Sequence, residues 1–83
     1  MLTKAQVEVL SRMAEGAHIT YSEDGERAWF YPGRDFLKIS DEELRALREG
    51  GFIASDPDDE AYRFPPADVI TEAGHAALQG ASR

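Results

Sequence analysis

Carboxylates are the side chains of this sequence most concentrated in one place. Asp56-Pro57-Asp58-Asp59-Glu60 sets four of them in five residues. Acids so close together can hold a divalent cation, act as an acid–base pair or attract a basic surface. The cation reading fails on pattern, because the run lacks the central glycine and the twelve-residue spacing of an EF-hand loop. His18 and His75 are the other candidates for metal or proton-transfer chemistry. They stand far apart in the chain, and neither has a second ligand at metal spacing. Gly50-Gly51 carries no phosphate-binding pattern and reads as a helix stop. No nucleophile, base and orienting group come together. The expectation is a non-enzymatic protein with no catalytic residue, metal or cofactor.

Charge then bears on the partner. Sixteen acids against nine Lys and Arg leave a net charge of -7 over 83 residues. Such a surface is steered towards basic partners and away from polyanions, although the same charge also serves solubility alone. Arg45 and Arg48 are the residues with which a helix over 41–49 can touch a phosphate or a guanine edge. The same spacing allows them to pair with Asp41, Glu42 and Glu49 within the helix, at about 0.2–0.5 kcal/mol each. Four acids against two arginines on that helix favour the pairing. Lys4, Arg12, Arg27, Arg34, Lys38 and Arg63 are dispersed and form no cluster.

The composition is that of one globular domain over 1–83, with 42% hydrophobic and 30% charged residues, which argues against a disordered tail. There is no cysteine, so disulfides and thiolate metal sites are excluded and a reducing, cytoplasmic setting is expected. No apolar run approaches the ~20 residues of a membrane span. Met1-Leu2-Thr3-Lys4-Ala5-Gln6 has no basic segment followed by an apolar block, so no signal peptide is expected.

The elements that must position these residues follow from local chemistry. Thr3 with Gln6 makes a capping box, and Leu2 can staple against Val7. A helix over 4–15 follows, with Val7, Leu10, Met13 and Ala14 as its buried stripe and Gly16 as its stop. His18–Ser22 and Arg27–Tyr31 flank Asp24-Gly25, a strong hairpin signal. A two-residue turn there pairs Tyr21 with Ala28, Thr20 with Trp29, Ile19 with Phe30 and His18 with Tyr31. Alternation puts Ile19, Tyr21, Ala28 and Phe30 on the core side, leaving Trp29 and Tyr31 as an exposed aromatic patch. After a turn at 32–35, residues 36–39 are a short extended piece. Ser40 with Glu43 then caps the helix over 41–49, Ile39 staples Leu44, and Leu44 and Leu47 are buried. A second hairpin follows, with Phe52 and Ile53 on one strand, Tyr62 and Phe64 on the other, and the acids at its tip. Pro65-Pro66 breaks that strand, Thr71 caps a terminal helix, and residues 80–83 fray.

The frame Leu2-Thr3…Gln6…Val9-Leu10…Met13-Ala14…Gly16…Ile19, then Ile39-Ser40…Leu44…Leu47…Gly50-Gly51-Phe52-Ile53, then Tyr62…Ile70-Thr71…Gly74…Ala77-Leu78 resembles small stand-alone winged-helix proteins of bacteria and phages. The resemblance spans nearly the whole chain and implies an α+β, winged-helix-like fold in the order α-β-β-(β)-α-β-β-α. The acid-tipped hairpin would be the wing. A helix-turn-helix reader needs a positioning helix before its recognition helix. Here a β-hairpin stands in its place. The layout is also similar to the YjhX-type toxin family, in length and in the hairpin after the first helix. That likeness implies inhibition of a DNA topoisomerase by binding it.

Two functions follow as expectations. The first is a protein-binding module, a phage- or mobile-element-type inhibitor or regulator, that engages a basic, nucleic-acid-handling partner. Asp56, Asp58, Asp59, Glu60, Asp41, Glu42 and Glu49 with Trp29 and Tyr31 would form its contact surface. DNA mimicry is its natural mechanism, and anti-CRISPR proteins are alike in kind. The alternative is a winged-helix transcription regulator that binds DNA through the 41–49 helix with Arg45 and Arg48. Neither a membrane nor, under the first reading, nucleic acid is an expected partner, and the protein is a monomer or a homodimer.

Overall fold

A computed structural model describes residues 2–33, 35–62 and 65–81. It is an α+β arrangement in chain order α1 (Lys4–Ala14), β1 (His18–Tyr21), β2 (Ala28–Tyr31), α2 (Asp41–Glu49), β3 (Ile53–Ser55), α3 (Pro57–Glu60), β4 (Asp68–Ile70) and α4 (Glu72–Ala81). The strands form one antiparallel sheet in the order β2-β1-β4-β3.

The caps act as their sequences dictate. Thr3 and Gln6 bond reciprocally at the start of α1. Ser40 Oγ accepts from the Glu43 backbone N–H at the start of α2. Each helix then closes on a glycine at positive φ, Gly16 at 116° and Gly51 at 77°. Beyond α2, Phe52 N–H donates to the Leu47 carbonyl and Gly51 N–H to that of Arg48, which is the Schellman pattern. The two helix starts also meet. Thr3 Oγ1 donates to the Glu43 carboxylate, and Gln6 Nε2 donates to the Glu43 carbonyl at 3.0 Å. Hydrogen bonds from the Thr3 and then the Ser40 hydroxyl hold the Glu43 carboxyl below the usual carboxylate range.

Val9, Leu10, Met13, Ile19, Phe30, Leu47 and Ile53 form the buried cluster, with Leu2, Tyr21, Ala28, Ile39, Leu44, Ile70 and Leu78 packed against it. It joins α1, α2 and α4 to one face of the sheet. The buried stripe of α1 is Gln6, Val9, Leu10 and Met13 instead of the predicted Val7, Leu10, Met13 and Ala14. Val7 is half-buried and Ala14 exposed, because the stripe is centred on the side that meets the sheet.

The first hairpin has the predicted register throughout. Its turn differs. Asp24 has no positive φ, so a two-residue type I′ turn is absent, and Gly25 alone takes φ 74°. Ser22 and Arg27 instead close a wider loop, with Arg27 N–H donating to Ser22 Oγ and Gly25 N–H to the Ser22 carbonyl. The Tyr31–Pro32 peptide is cis. Residues 36–39 supply only an isolated bridge, Trp29 to Phe36, and no strand.

The second hairpin departs further. Its return strand is Asp68–Ile70, paired Ile53 to Ile70, Ala54 to Val69 and Ser55 to Asp68. Tyr62 is not in a strand and is 90% exposed, and Phe64 lies outside the described residues. The acidic tip is a single helical turn, α3, because Asp56 caps it by accepting from Asp58 N–H and Pro57 occupies its first position. Gly80 and Ala81 belong to α4. Gly74 of that helix lies so close to β3 that a Cβ there would meet the Phe52 carbonyl and Ile70.

Candidate protein-binding surface

The two hairpins are antiparallel partners within one sheet, since Ile19 of β1 pairs with Asp68 of β4. That register sends both connections out of the same end. The β1–β2 loop and the β3–β4 connection leave side by side, and one cleft of about 300 Å³ is lined by Gly25 from the first and by Ser55, Pro65 and Pro66 from the second. A neighbouring cleft of about 280 Å³ is lined by Glu26 and Arg27 of that loop and by Asp41 of α2. Glu23, Asp24, Glu26, Asp41, Asp58 and Glu60 are therefore carried on three segments at one end of the molecule, all of them exposed. The Asp24 carboxyl is held low, chiefly by the Ser22 hydroxyl bonding it at 2.5 Å and then by the Glu26 backbone N–H at 3.0 Å.

Not every candidate acid faces a partner. Asp56 is the cap of α3, and Asp59 accepts from the Ala67 backbone N–H at 2.8 Å, which ties the tip to β4. Asp58 and Glu60 are left as the tip's solvent-facing charges. Glu42 is exposed on α2, and Glu49 sits at the opposite end of that helix, where the chain turns into β3. Glu23, Asp24 and Glu26 were legible only as turn residues. Sheet order brings their loop beside the connection that carries α3, and no local signal could have done so.

The aromatic candidates divide. Tyr31 is 59% exposed, whereas Trp29 is half-buried and not a freely exposed ring. Thr20, its cross-strand partner, is buried on that face, and its Oγ1 has no hydrogen-bond partner among the described residues.

The arginines divide as well. Arg48 does not pair within α2; its guanidinium donates to Asp68 Oδ2 at 2.5 Å and to the Tyr21 hydroxyl. The Tyr21 hydroxyl in turn donates to the same carboxylate oxygen at 2.5 Å. Asp68 is 1% exposed, so a buried acid is matched by a cation and a phenol drawn from α2 and β1. Burial, and then the bond to Asp68, push the Tyr21 phenol well above its ordinary value of 10.0. Burial alone would lower Arg48, but the bonds to Asp68 and Tyr21 outweigh it and raise its pKa. Sequence reasoning missed Asp68 because its partners are 20 and 47 residues away. Arg45 is exposed. Arg12 bonds Asp35 at 3.0 Å and lies 4.2 Å over the Phe30 ring, while Arg34 and Arg63 fall outside the described residues.

His18 lies half-buried on β1 and His75 exposed on α4. Among the described residues no group of three His, Cys, Asp or Glu side chains could hold a metal, and no helix is long and apolar enough to cross a membrane. No family model, curated protein or solved structure matches the chain.

Proposed function

We propose that this protein is a non-enzymatic binding module on a winged-helix-like scaffold. It acts as an inhibitor or regulator of a basic, nucleic-acid-handling protein by presenting carboxylates where that protein expects phosphates. The convergence of the β1–β2 loop, the α3 tip and the start of α2 at one end of the sheet carries this reading. Six exposed carboxylates on three segments make a broad negative field, suited to steering a cationic surface and repelling DNA. The scaffold reading rests on β4 lying between β1 and β3, with α1, α2 and α4 on one face. DNA binding through α2 is disfavoured because Arg48 is engaged by Asp68 and because acids flank Arg45.

The test is binding of the free protein to duplex DNA and to its isolated protein partner. The protein should retard no duplex even at low salt, and DNA should compete with it for the partner. Asp58→Lys with Glu60→Lys should slow association on the order of tenfold. Retardation of DNA that weakens steeply with salt would instead establish the α2 reading.

A further inference from the structure

The side chains that point away from the core cluster differ from the rest of this highly charged surface. On the packed face lie Ile19, Tyr21, Ala28, Phe30, Ile53 and Ile70, all in or against the cluster. Alternation places His18, Thr20, Trp29, Tyr31, Ala54 and Val69 on the other face, and the cluster takes none of them. The chain has sixteen acids and nine Lys and Arg, yet none of the 25 is at these six positions. The pairs His18–Tyr31 and Ala54–Val69, joined through the β1–β4 register, set Tyr31, His18, Val69 and Ala54 in one row across the sheet. Tyr31 and Ala54 are exposed, and His18 and Val69 are half-buried. The neighbouring row is closed at its centre, because Thr20 and Ala67 are both buried. The accessible part of the face is therefore the Tyr31–Ala54 row, with Trp29 along its side.

We infer that this row is the apolar half of the interface whose charged half is the acidic end of the sheet, an inference that rests on the function proposed above. The occupant is a protein surface that carries an apolar projection beside its basic groups. Three observations select it. The row offers no carboxylate to a purely cationic ligand and no cation to a nucleic acid. A second copy would bring two chains of net charge -7 together. Asp56, which begins the acidic connection, extends the β3 ladder by donating its N–H to the Ala67 carbonyl and stands two residues beyond Ala54, so the row reaches the acidic end along the β3 edge, past the closed centre. An exposed tyrosine within a charged rim is also the usual composition of a binding hot spot.

Trp29, the sole tryptophan, reports on the row directly. The probes are two synthetic peptides of equal charge, one alternating lysine with leucine and one alternating lysine with serine. Both should bind at low salt, and only the leucine peptide should shift Trp29 emission and persist at physiological salt. Tyr31→Ser should weaken the leucine peptide about tenfold and leave the serine peptide unchanged. Asp58→Lys with Glu60→Lys should weaken both. If Tyr31→Ser changes neither affinity, or Trp29 emission does not move, the row is not part of the interface, and the acidic-end reading stands without it. If the double charge reversal changes neither, the acidic-end reading itself fails. Sedimentation showing a Tyr31-dependent dimer would overturn the inference in favour of self-association. A Trp29 response to duplex DNA would overturn it in favour of nucleic acid.

Discussion

The two hairpins are built from similar material and are governed by different forces. In the first, Ser22, Asp24, Glu26 and Arg27 bond to one another, and the register from His18–Tyr31 to Tyr21–Ala28 follows from that local network. In the second, the strands are separated by residues 56–67, and local pairing does not choose the return strand. It is chosen by what Asp68, Val69 and Ile70 meet. Asp68 finds Tyr21 and Arg48, the Ala67 N–H finds Asp59, and the Thr71 hydroxyl donates to the Gly51 carbonyl at 2.6 Å. A tight loop fixes its hairpin from within, whereas a long connection leaves the fixing to tertiary contacts.

The sharpest way to break that contrast is Asp68→Ala. Removing the carboxylate leaves the Tyr21 hydroxyl without its acceptor and Arg48 without its ionic partner but leaves no buried charge, because Arg48 reaches water, and the loss should be about 2 kcal/mol by denaturant unfolding. Native-state hydrogen exchange should accelerate in β3 and β4 more than in β1 and β2. Equal acceleration in both hairpins would show that the second is not separately held. Gly25→Ala is the converse. An alanine at φ 74° is strained, so the variant should lose about 1 kcal/mol, with the exchange change centred on β1 and β2. The smallest effect concerns pH. Because the Tyr21 phenol is raised in the folded state, its contribution is complete below about pH 10 and is lost as the pH rises towards the folded value. Stability should therefore fall above that pH, and Tyr21→Phe should flatten the decline in alkaline unfolding curves. An unchanged slope in the variant would remove Tyr21 as its cause.

The same contrast explains what the sequence made legible. Thr3 with Gln6, Ser40 with Glu43, and Gly51 after α2 act within a few residues, so their patterns identify helix ends unaided. Asp56-Pro57 is also a helix-start pair, but a four-residue helix has too little periodicity to distinguish it from a hairpin tip. Asp68-Val69-Ile70 becomes a strand only because Ile19 and Ile53 lie on either side of it. Of the candidate surface, the acids were legible by type. Their grouping was not, since the loop of Glu23, Asp24 and Glu26 comes beside the 56–67 connection through sheet order alone. Asp56 and Asp59 read as free charges until their backbone partners are known.

The meeting of Thr3 with Glu43 joins residues forty positions apart, and in polymer terms it closes a ring that contains the whole first hairpin. The entropy of closing such a ring rises only with the logarithm of its length, by about 0.6 kcal/mol for each doubling. A few residues inserted at Glu23–Glu26, the outermost point of the ring, would thus barely disturb the helices that close it. Ring closure thus sets no limit on the length of the acidic loop of the first hairpin; that limit comes from the bonds among Ser22, Asp24, Glu26 and Arg27, which any change of length would have to rebuild.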